Sequence, residues 1–86
     1  MSNVTKWIVD WFVTECSIEE SKITENLDNN YFEAGFIDSF KFITMVADAE
    51  DKFGIEFSND QFEDRSFSTI NGLAKIIEGL RNNGQV

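Results

Sequence analysis

The stretch Gly35-Phe36-Ile37-Asp38-Ser39-Phe40 opens the helix around which the rest of the chain is arranged. Asp38 and Ser39 are both favourable helix N-cap residues, because each side-chain oxygen can accept a hydrogen bond from an unpaired N–H of the first turn. The sequence that follows, FKFITMVADAEDKF, contains no Gly and no Pro and ends against Gly54, a natural C-terminal stop. The pattern therefore predicts a helix that runs to about Phe53.

This predicted helix carries two separate apolar stripes at about 100° per residue. The first has the spacing of a face that packs into a core and consists of Phe42, Met45, Val46, Ala49 and Phe53. The second lies on the opposite side, close to the serine and mixed with acids, and consists of Phe40, Ile43 and Ala47 with Glu50 and Asp51. Since one buried stripe is enough to hold a helix in place, the second stripe is the candidate functional surface.

The composition limits what the chain can be. We expect 86 residues to form one small domain over 1–86, with disordered ends at 1–3 and 82–86. A net charge of -9 argues against nucleic acid and anionic membranes as partners and favours a protein with a basic patch. Without His the chain lacks the usual general base, and its single Cys16 cannot form an internal disulfide.

No apolar run is long enough to span a bilayer, and the N-terminus lacks the apolar region of a signal peptide. We therefore expect a cytoplasmic protein without membrane insertion.

The rest of the chain reads as helices joined by loops. Ser2 or Asn3 can cap a first helix, whose apolar positions are Val4, Trp7, Ile8, Trp11 and Phe12. The periodicity fails from Ser17 to Asp38, so this segment is predicted to be a loop held by apolar side chains, namely Ile23, Leu27, Phe32, Phe36 and Ile37.

The C-terminal third predicts an extended connector at 55–57, a short helical turn at 60–65 anchored by Phe62, and a last helix capped by Ser68. That last helix has one apolar face, made of Ile70, Leu73, Ala74 and Ile77. The prediction is an all-α fold, a small four-helix bundle with three long helices and one short one.

The residue types of the chain can be compared with three known kinds of functional site. Oxygen ligands at 26, 28 and 30 suggest calcium, but the EF-hand pattern requires Gly where Tyr31 stands and Glu where Ile37 stands. A Ser-His-Asp arrangement is impossible without His, and there is no Gly-rich phosphate loop. Taken alone, Asp38-Ser39 indicates only a helix cap.

Three blocks in register resemble the acyl carrier and peptidyl carrier protein family. They are Phe32-x-x-x-Gly35-Phe36-Ile37-Asp38-Ser39-Phe40, then Glu50-x-x-Phe53-Gly54-Ile55-Glu56-Phe57, then Phe67-x-Thr69-Ile70-x-x-Leu73. The resemblance covers about 27–77 and implies the acyl-carrier type of helical bundle. The chain departs from the family by Phe40 in place of the usual Leu, and by Lys41 and Thr44 where fatty-acid carriers commonly have acids.

The resemblance implies that Ser39, preceded by Asp38, carries covalent 4′-phosphopantetheine added by a separate phosphopantetheinyl transferase. The protein is then a carrier and not an enzyme. Its docking face for loading and transferring enzymes with basic patches comprises Phe40, Ile43, Ala47, Glu50 and Asp51. The departures at Lys41 and Thr44 favour a specialised carrier of aminoacyl, peptidyl, polyketide or D-alanyl type over the housekeeping fatty-acid carrier. We also expect the protein to be a monomer.

The cargo is expected to be short or polar and to stay on an exposed arm. A long acyl chain would have to enter the core between the second predicted helix and the last two. Large aromatic rings leave little room there, namely Phe42, Phe53, Phe57, Phe62 and Phe67. Met45 beside Ala49 is the place where a pocket could form instead. Two other classes stay open: an acidic helical interaction module without a prosthetic group, and a small calcium or metal protein.

Overall fold

The computed structural model describes residues 2–83, which are helical with connecting turns. Five α-helices lie within that range, namely α1 (Asn3–Glu15), α2 (Glu20–Thr24), α3 (Ser39–Phe53), α4 (Asn59–Glu63) and α5 (Ile70–Asn83). A 3₁₀ helix over Arg65–Ser68 joins α4 to α5. The predicted all-α bundle with three long helices is confirmed.

The helix α1 begins where Ser2 caps it, because the Ser2 hydroxyl accepts from the backbone N–H of Thr5 at 3.1 Å. Its inner face is buried in the core through Val4, Ile8, Val9, Trp11 and Phe12. The indole N–H of Trp11 donates to the carboxylate of Asp48 at 2.8 Å, which ties α1 to α3. The helical periodicity predicted four of these five residues; it missed Val9, and Trp7, which it also placed on this face, is only partly buried.

The segment from Ser17 to Asp38 is not the continuous loop that the sequence predicted, because it contains α2. This helix has five residues and a single buried one, Ile23, so it is too short to show a periodic pattern. Beyond it, the chain is held to α5, since Asn71 donates from its backbone N–H to the Leu27 carbonyl and from its side chain to Asp28.

Tyr31 is a core residue that the sequence reading missed. Its ring is buried at 1% exposure, and its hydroxyl donates to the backbone carbonyl of Phe67. Burial raises the pKa of the Tyr31 phenol well above its ordinary value. Tyr31 therefore connects the middle loop to the 3₁₀ helix that precedes α5.

The inner stripe of α3 is less deeply buried than its pattern predicts. Met45 and Ala49 are fully buried, whereas Phe42, Val46 and Phe53 are only partly covered. Phe53 faces Trp7 edge-on, with 5.3 Å between the ring centroids. The reason is that α3 packs at the side of the bundle, so the flanks of its inner face stay near solvent.

The C-terminal third differs from the prediction at two residues. Phe62, predicted to anchor the short helix, is 43% exposed, and the buried ring in this region is Phe67. The cap of α5 is Thr69 and not Ser68, because the Thr69 hydroxyl accepts from the N–H of Gly72 at 3.0 Å while Ser68 belongs to the 3₁₀ helix. Both errors arise from the 3₁₀ helix, which shifts the register of the side chains.

Of the residues expected to be disordered at the two ends, Ser2 caps α1, Asn3 begins it, and α5 extends to Asn83. Residue 1 and residues 84–86 lie outside the described part of the chain. None of the described helices is long and apolar enough to cross a membrane.

Candidate functional site

A tight turn before α3 sets the direction from which the chain enters this helix. The Asn30 side-chain oxygen accepts from the N–H groups of Phe32 at 2.8 Å and Glu33 at 3.0 Å. Gly35 then takes a left-handed conformation (φ +77°) that side chains rarely adopt. Ile37 is buried and anchors the end of the turn. The glycine in the predicted motif is therefore required by the backbone.

Asp38 alone caps α3, although the sequence offered both Asp38 and Ser39 as caps. Its carboxylate accepts from the N–H of Lys41 at 2.8 Å, and its backbone carbonyl accepts from the N–H of Phe42 at 2.9 Å. Ser39 is thus the first residue of the helix, and its side chain is exposed. The N–H groups of Ser39 and Phe40 precede the first bonds of the helix, so this end offers hydrogen-bond donors and the positive end of the helix dipole to an anion.

An open cleft of about 330 Å³ lies beside the serine, between the end of α1 and the turn before α3. Its lining brings Lys41 and Asp38 together with Glu15 and Cys16. Burial raises the pKa of the Cys16 thiol; the Lys41 cation opposes that shift, while Asp38 and Glu15 add to it. Cys16 is therefore held as a neutral thiol, which suits a packing role.

The outer face of α3 presents apolar side chains to solvent immediately after the serine. Phe40 is 85% exposed and Ile43 is 67% exposed, and Ala47 and Asp51 are exposed on the same side. Large apolar groups at such exposure do not contribute to the core of this domain. The two-stripe interpretation of the helix is therefore correct for these residues.

Glu50 differs from the other acid of this face. It is half-buried, and its carboxylate accepts from the backbone N–H of Phe57 at 3.0 Å. Glu50 therefore holds the connector that follows Gly54 against the last turns of α3. The sequence reading missed this structural role, which the reversal of the chain at Gly54 could have signalled.

A cluster of aromatic rings occupies the space between α3 and α4. Phe67 lies at its centre, with ring centroids 5.1 Å from both Phe57 and Phe62 and 5.7 Å from Phe42. Phe32 extends the cluster from Phe42 at 5.1 Å. Phe53, which the sequence reading assigned to this region, is instead next to Trp7 at the other end of α3.

A helical bundle in which an exposed serine begins a long helix, behind an Asp cap and a Gly turn, defines the class of carrier domains. A family model described as the phosphopantetheine attachment site matches residues 6–77. The chain therefore belongs to this family, whose members carry covalently attached 4′-phosphopantetheine. The resemblance seen in the three sequence blocks is confirmed.

The curated relatives include D-alanyl carrier proteins from Bacillus cereus (strains B4264 and AH187) and from Bacillus anthracis (strain CDC 684 / NRRL 3495). Each is 28% identical over 81 residues, which cover 94% of this chain and 100% of the relative. No solved structure matches the chain. The names of these relatives give them a specialised cargo, in agreement with the prediction of a specialised carrier over the housekeeping fatty-acid type.

Membership of this family makes the chain a carrier without catalysis of its own, which interacts with enzymes that load and transfer the carried group. The geometry fits the prosthetic group, because an exposed hydroxyl lies beside unpaired helix N–H groups that suit a phosphodiester. Within residues 2–83, no three His, Cys, Asp or Glu side chains are grouped to hold a metal ion.

Proposed function

We propose that Ser39 is the residue that receives 4′-phosphopantetheine. The phosphopantetheine arm then carries a small aminoacyl group, which we propose to be D-alanyl. The observation that supports Ser39 most strongly is that Asp38, and not Ser39, caps the start of α3. Asp38 accepts the capping hydrogen bond from Lys41, so the Ser39 side chain is exposed and available to a transferase.

The proposed attachment uses only the hydroxyl of this chain. Ser39 Oγ attacks the pantetheine-side phosphorus of coenzyme A, the pyrophosphate bond breaks, and 3′,5′-ADP leaves while the transferase accepts the serine proton. The resulting phosphodiester anion lies beside the N–H groups of the first turn, where the helix dipole stabilises negative charge by roughly 0.3–1 kcal/mol. The thiol at the end of the arm then forms the thioester.

Intact mass tests this attachment. After incubation with coenzyme A and a broad-specificity phosphopantetheinyl transferase, the wild type should gain one phosphopantetheine. Ser39→Ala should gain none, whereas Ser21→Ala, which removes an exposed serine from α2, should gain one. An unmodified wild type across several transferases would favour the acidic interaction module, and a modified Ser39→Ala would assign the arm to another residue.

The choice of a small cargo is supported by the aromatic cluster between α3 and α4. Phe67 is 2% exposed and touches three further rings, so a long acyl chain could enter here only by displacing buried aromatic side chains. Each such ring holds about 1.5–3 kcal/mol of burial free energy. A D-alanyl group needs no such space, and the relatives are named as D-alanyl carrier proteins.

Amide chemical shifts distinguish a small exposed cargo from a sequestered one. We expect the D-alanyl and octanoyl forms of the holo-protein to give the same shifts at Met45, Ala49 and Ile70, all of which are buried in the core. Large octanoyl-specific shifts at these three residues would mean that a chain enters the core, and the small-cargo proposal would be wrong.

The proposed docking face for the transferase and for the loading enzymes comprises Phe40, Ile43, Ala47, Glu50 and Asp51. An exposed apolar patch with acids at its edge is typical of a surface that binds a partner with a basic rim. Glu50 contributes charge to this face while it also holds the connector. We propose that the protein acts as a monomer in the cytoplasm, where coenzyme A is available.

A further inference from the structure

A second cleft lies far from Ser39, at the opposite end of α3. Seven residues from the start of α1, the end of α3 and the end of α5 line its wall, among them Lys6, Trp7, Asp10, Lys52, Phe53 and Arg81. Because α3 has 15 residues, Ser39 and this cleft are separated by about 20 Å along the helix. The cleft is therefore independent of the attachment site.

The charge of this cleft is opposite to that of the molecule. The whole chain has seven Lys and Arg residues against 16 acids, yet three of the seven line this one cleft with a single acid. That acid, Asp10, already forms an ion pair with Lys6 at 3.2 Å. The residues that line the cleft therefore carry an excess of positive charge, which favours an anion over a cation.

The aromatic side chains give the cleft a wall of fixed shape. The rings of Trp7 and Phe53 meet edge to face at 5.3 Å, and the Arg81 guanidinium lies 5.3 Å from the centre of the Phe53 ring. A guanidinium on an aromatic face is held in position and can offer its N–H edge to a planar or tetrahedral anion. The volume of about 510 Å³ lies within the range of small-molecule sites.

We propose that this cleft binds a phosphate group, carried either by a small organic molecule or by a lipid headgroup. Lys6, Lys52 and Arg81 supply only donors and positive charge, which match phosphate oxygens. The rings of Trp7 and Phe53 contact the organic part next to the phosphate. Binding here does not use Ser39, so the inference is separate from the carrier role.

The test uses the two tryptophans of the full chain as a probe and an internal reference. The Trp7 indole is in the cleft, whereas the Trp11 indole is held by Asp48. In a titration with phenyl phosphate, the Trp7 indole N–H signal should shift to saturation and that of Trp11 should stay in place. Phenol at the same concentrations is the uncharged control and should shift neither signal.

Vesicles distinguish the two sources of phosphate. Broadening of the Trp7 signal by phosphatidylglycerol vesicles but not by phosphatidylcholine vesicles would assign the cleft to a lipid headgroup. Saturation by phenyl phosphate without vesicle binding would assign it to a soluble phosphate. The absence of a specific Trp7 response in both arms would overturn the proposal.

Matched charge variants test the cations. Lys52→Gln with Arg81→Gln should weaken binding about tenfold, as expected when about 1.4 kcal/mol of charge-assisted hydrogen bonding is lost. Lys22→Gln with Lys75→Gln changes the net charge equally, at exposed residues outside the cleft, and should weaken binding less than twofold. The single change Lys52→Gln, at an exposed position, should give an intermediate loss. Equal weakening by the two double variants would mean that only net charge matters and would overturn the site.

Discussion

Two glycines of α5 look alike in sequence and have opposite roles in the structure. A Cβ on Gly72 would overlap the backbone carbonyl oxygen of Ser66 in the 3₁₀ helix, whereas a Cβ on Gly79 would meet no atom within 4 Å. Helix propensity alone gives both glycines the same cost, because the close approach at Gly72 depends on where the 3₁₀ helix packs. This contact could not be predicted without the tertiary structure.

Substitution of each glycine by Ala should therefore change stability in opposite directions. Gly72→Ala should lower the free energy of unfolding by about 1–3 kcal/mol, because backbone must move to accommodate the methyl group. Gly79→Ala should raise it by about 0.5–1 kcal/mol, since Ala is the better helix former. Urea denaturation of the two variants measures both effects, and a stabilised Gly72→Ala would contradict the packing of the 3₁₀ helix on α5.

The buried phenol of Tyr31 should make the protein unstable in alkali. The phenol ionises near pH 10 in the unfolded chain, whereas burial keeps it protonated to higher pH in the folded chain. The stabilising contribution of the raised pKa is therefore complete below about pH 10 and is lost as the pH rises above that value. The free energy of unfolding should then fall by up to about 1.4 kcal/mol per pH unit.

Unfolding free energies measured from pH 8 to 11 test this expectation, with Tyr31→Phe as the control. The variant loses the hydrogen bond to the Phe67 carbonyl, which should cost about 1–2 kcal/mol at neutral pH. Its stability should then fall less steeply in alkali than that of the wild type. Parallel slopes would show that Tyr31 is not the group that titrates.

At the scale of the element, α3 separates stability from recognition on its two sides. Met45 is fully buried and Ile43 is 67% exposed, although the two residues are only two positions apart. Met45→Ala should lower the free energy of unfolding by about 2–5 kcal/mol. Ile43→Ala should change it by less than about 0.5 kcal/mol and should slow phosphopantetheine transfer severalfold. Comparable losses of stability would show that the two sides are wrongly assigned.

Charge reversal tests docking at Asp51 but not at Glu50. Reversing the charge of Glu50 would also break its hydrogen bond to Phe57, so Asp51→Lys is the cleaner change. Asp51→Lys should slow transfer severalfold at low salt and much less at high salt, because exposed charges mainly steer association. Glu25→Lys, a charge reversal at an exposed residue directly after α2, is the control. A salt-independent loss, or an equal loss in both variants, would argue against docking at Asp51.

The elements that could be predicted are those with a long periodic pattern and local stop signals. α1, α3 and α5 each have at least 13 residues, so their apolar faces repeat several times. The five-residue α2 is too short to show a periodic pattern, and the cap was placed at Ser68 and not at Thr69 because the 3₁₀ helix that contains Ser68 has no sequence signal of its own. Phe53 was misplaced for a related reason, since its ring lies on the flank of the inner face of α3 and pairs with Trp7.

At the scale of the whole molecule, the proposed attachment site could be located from the sequence because its signals are local. Gly35, Asp38 and Ser39 lie within five residues; the left-handed backbone favours the glycine, and the hydrogen bond from the Lys41 N–H explains the Asp cap. The basic cleft at the other end was not predictable, since it joins residues from the start of α1, the end of α3 and the end of α5. The two ends of α3 therefore differ in chemistry: Ser39 lies at the first, and the basic cleft lies at the second.

Attachment at Ser39 is the central claim, and peptide mapping of the transferase-treated wild type tests it most directly. Trypsin cuts after Lys22 and Lys41, and the resulting fragment 23–41 contains Ser39 as its only serine. We predict that this fragment carries the entire mass gain of one phosphopantetheine, while the fragment 7–22, which contains Ser17 and Ser21, is unchanged. A mass gain on any other fragment, or none on fragment 23–41, would contradict the account.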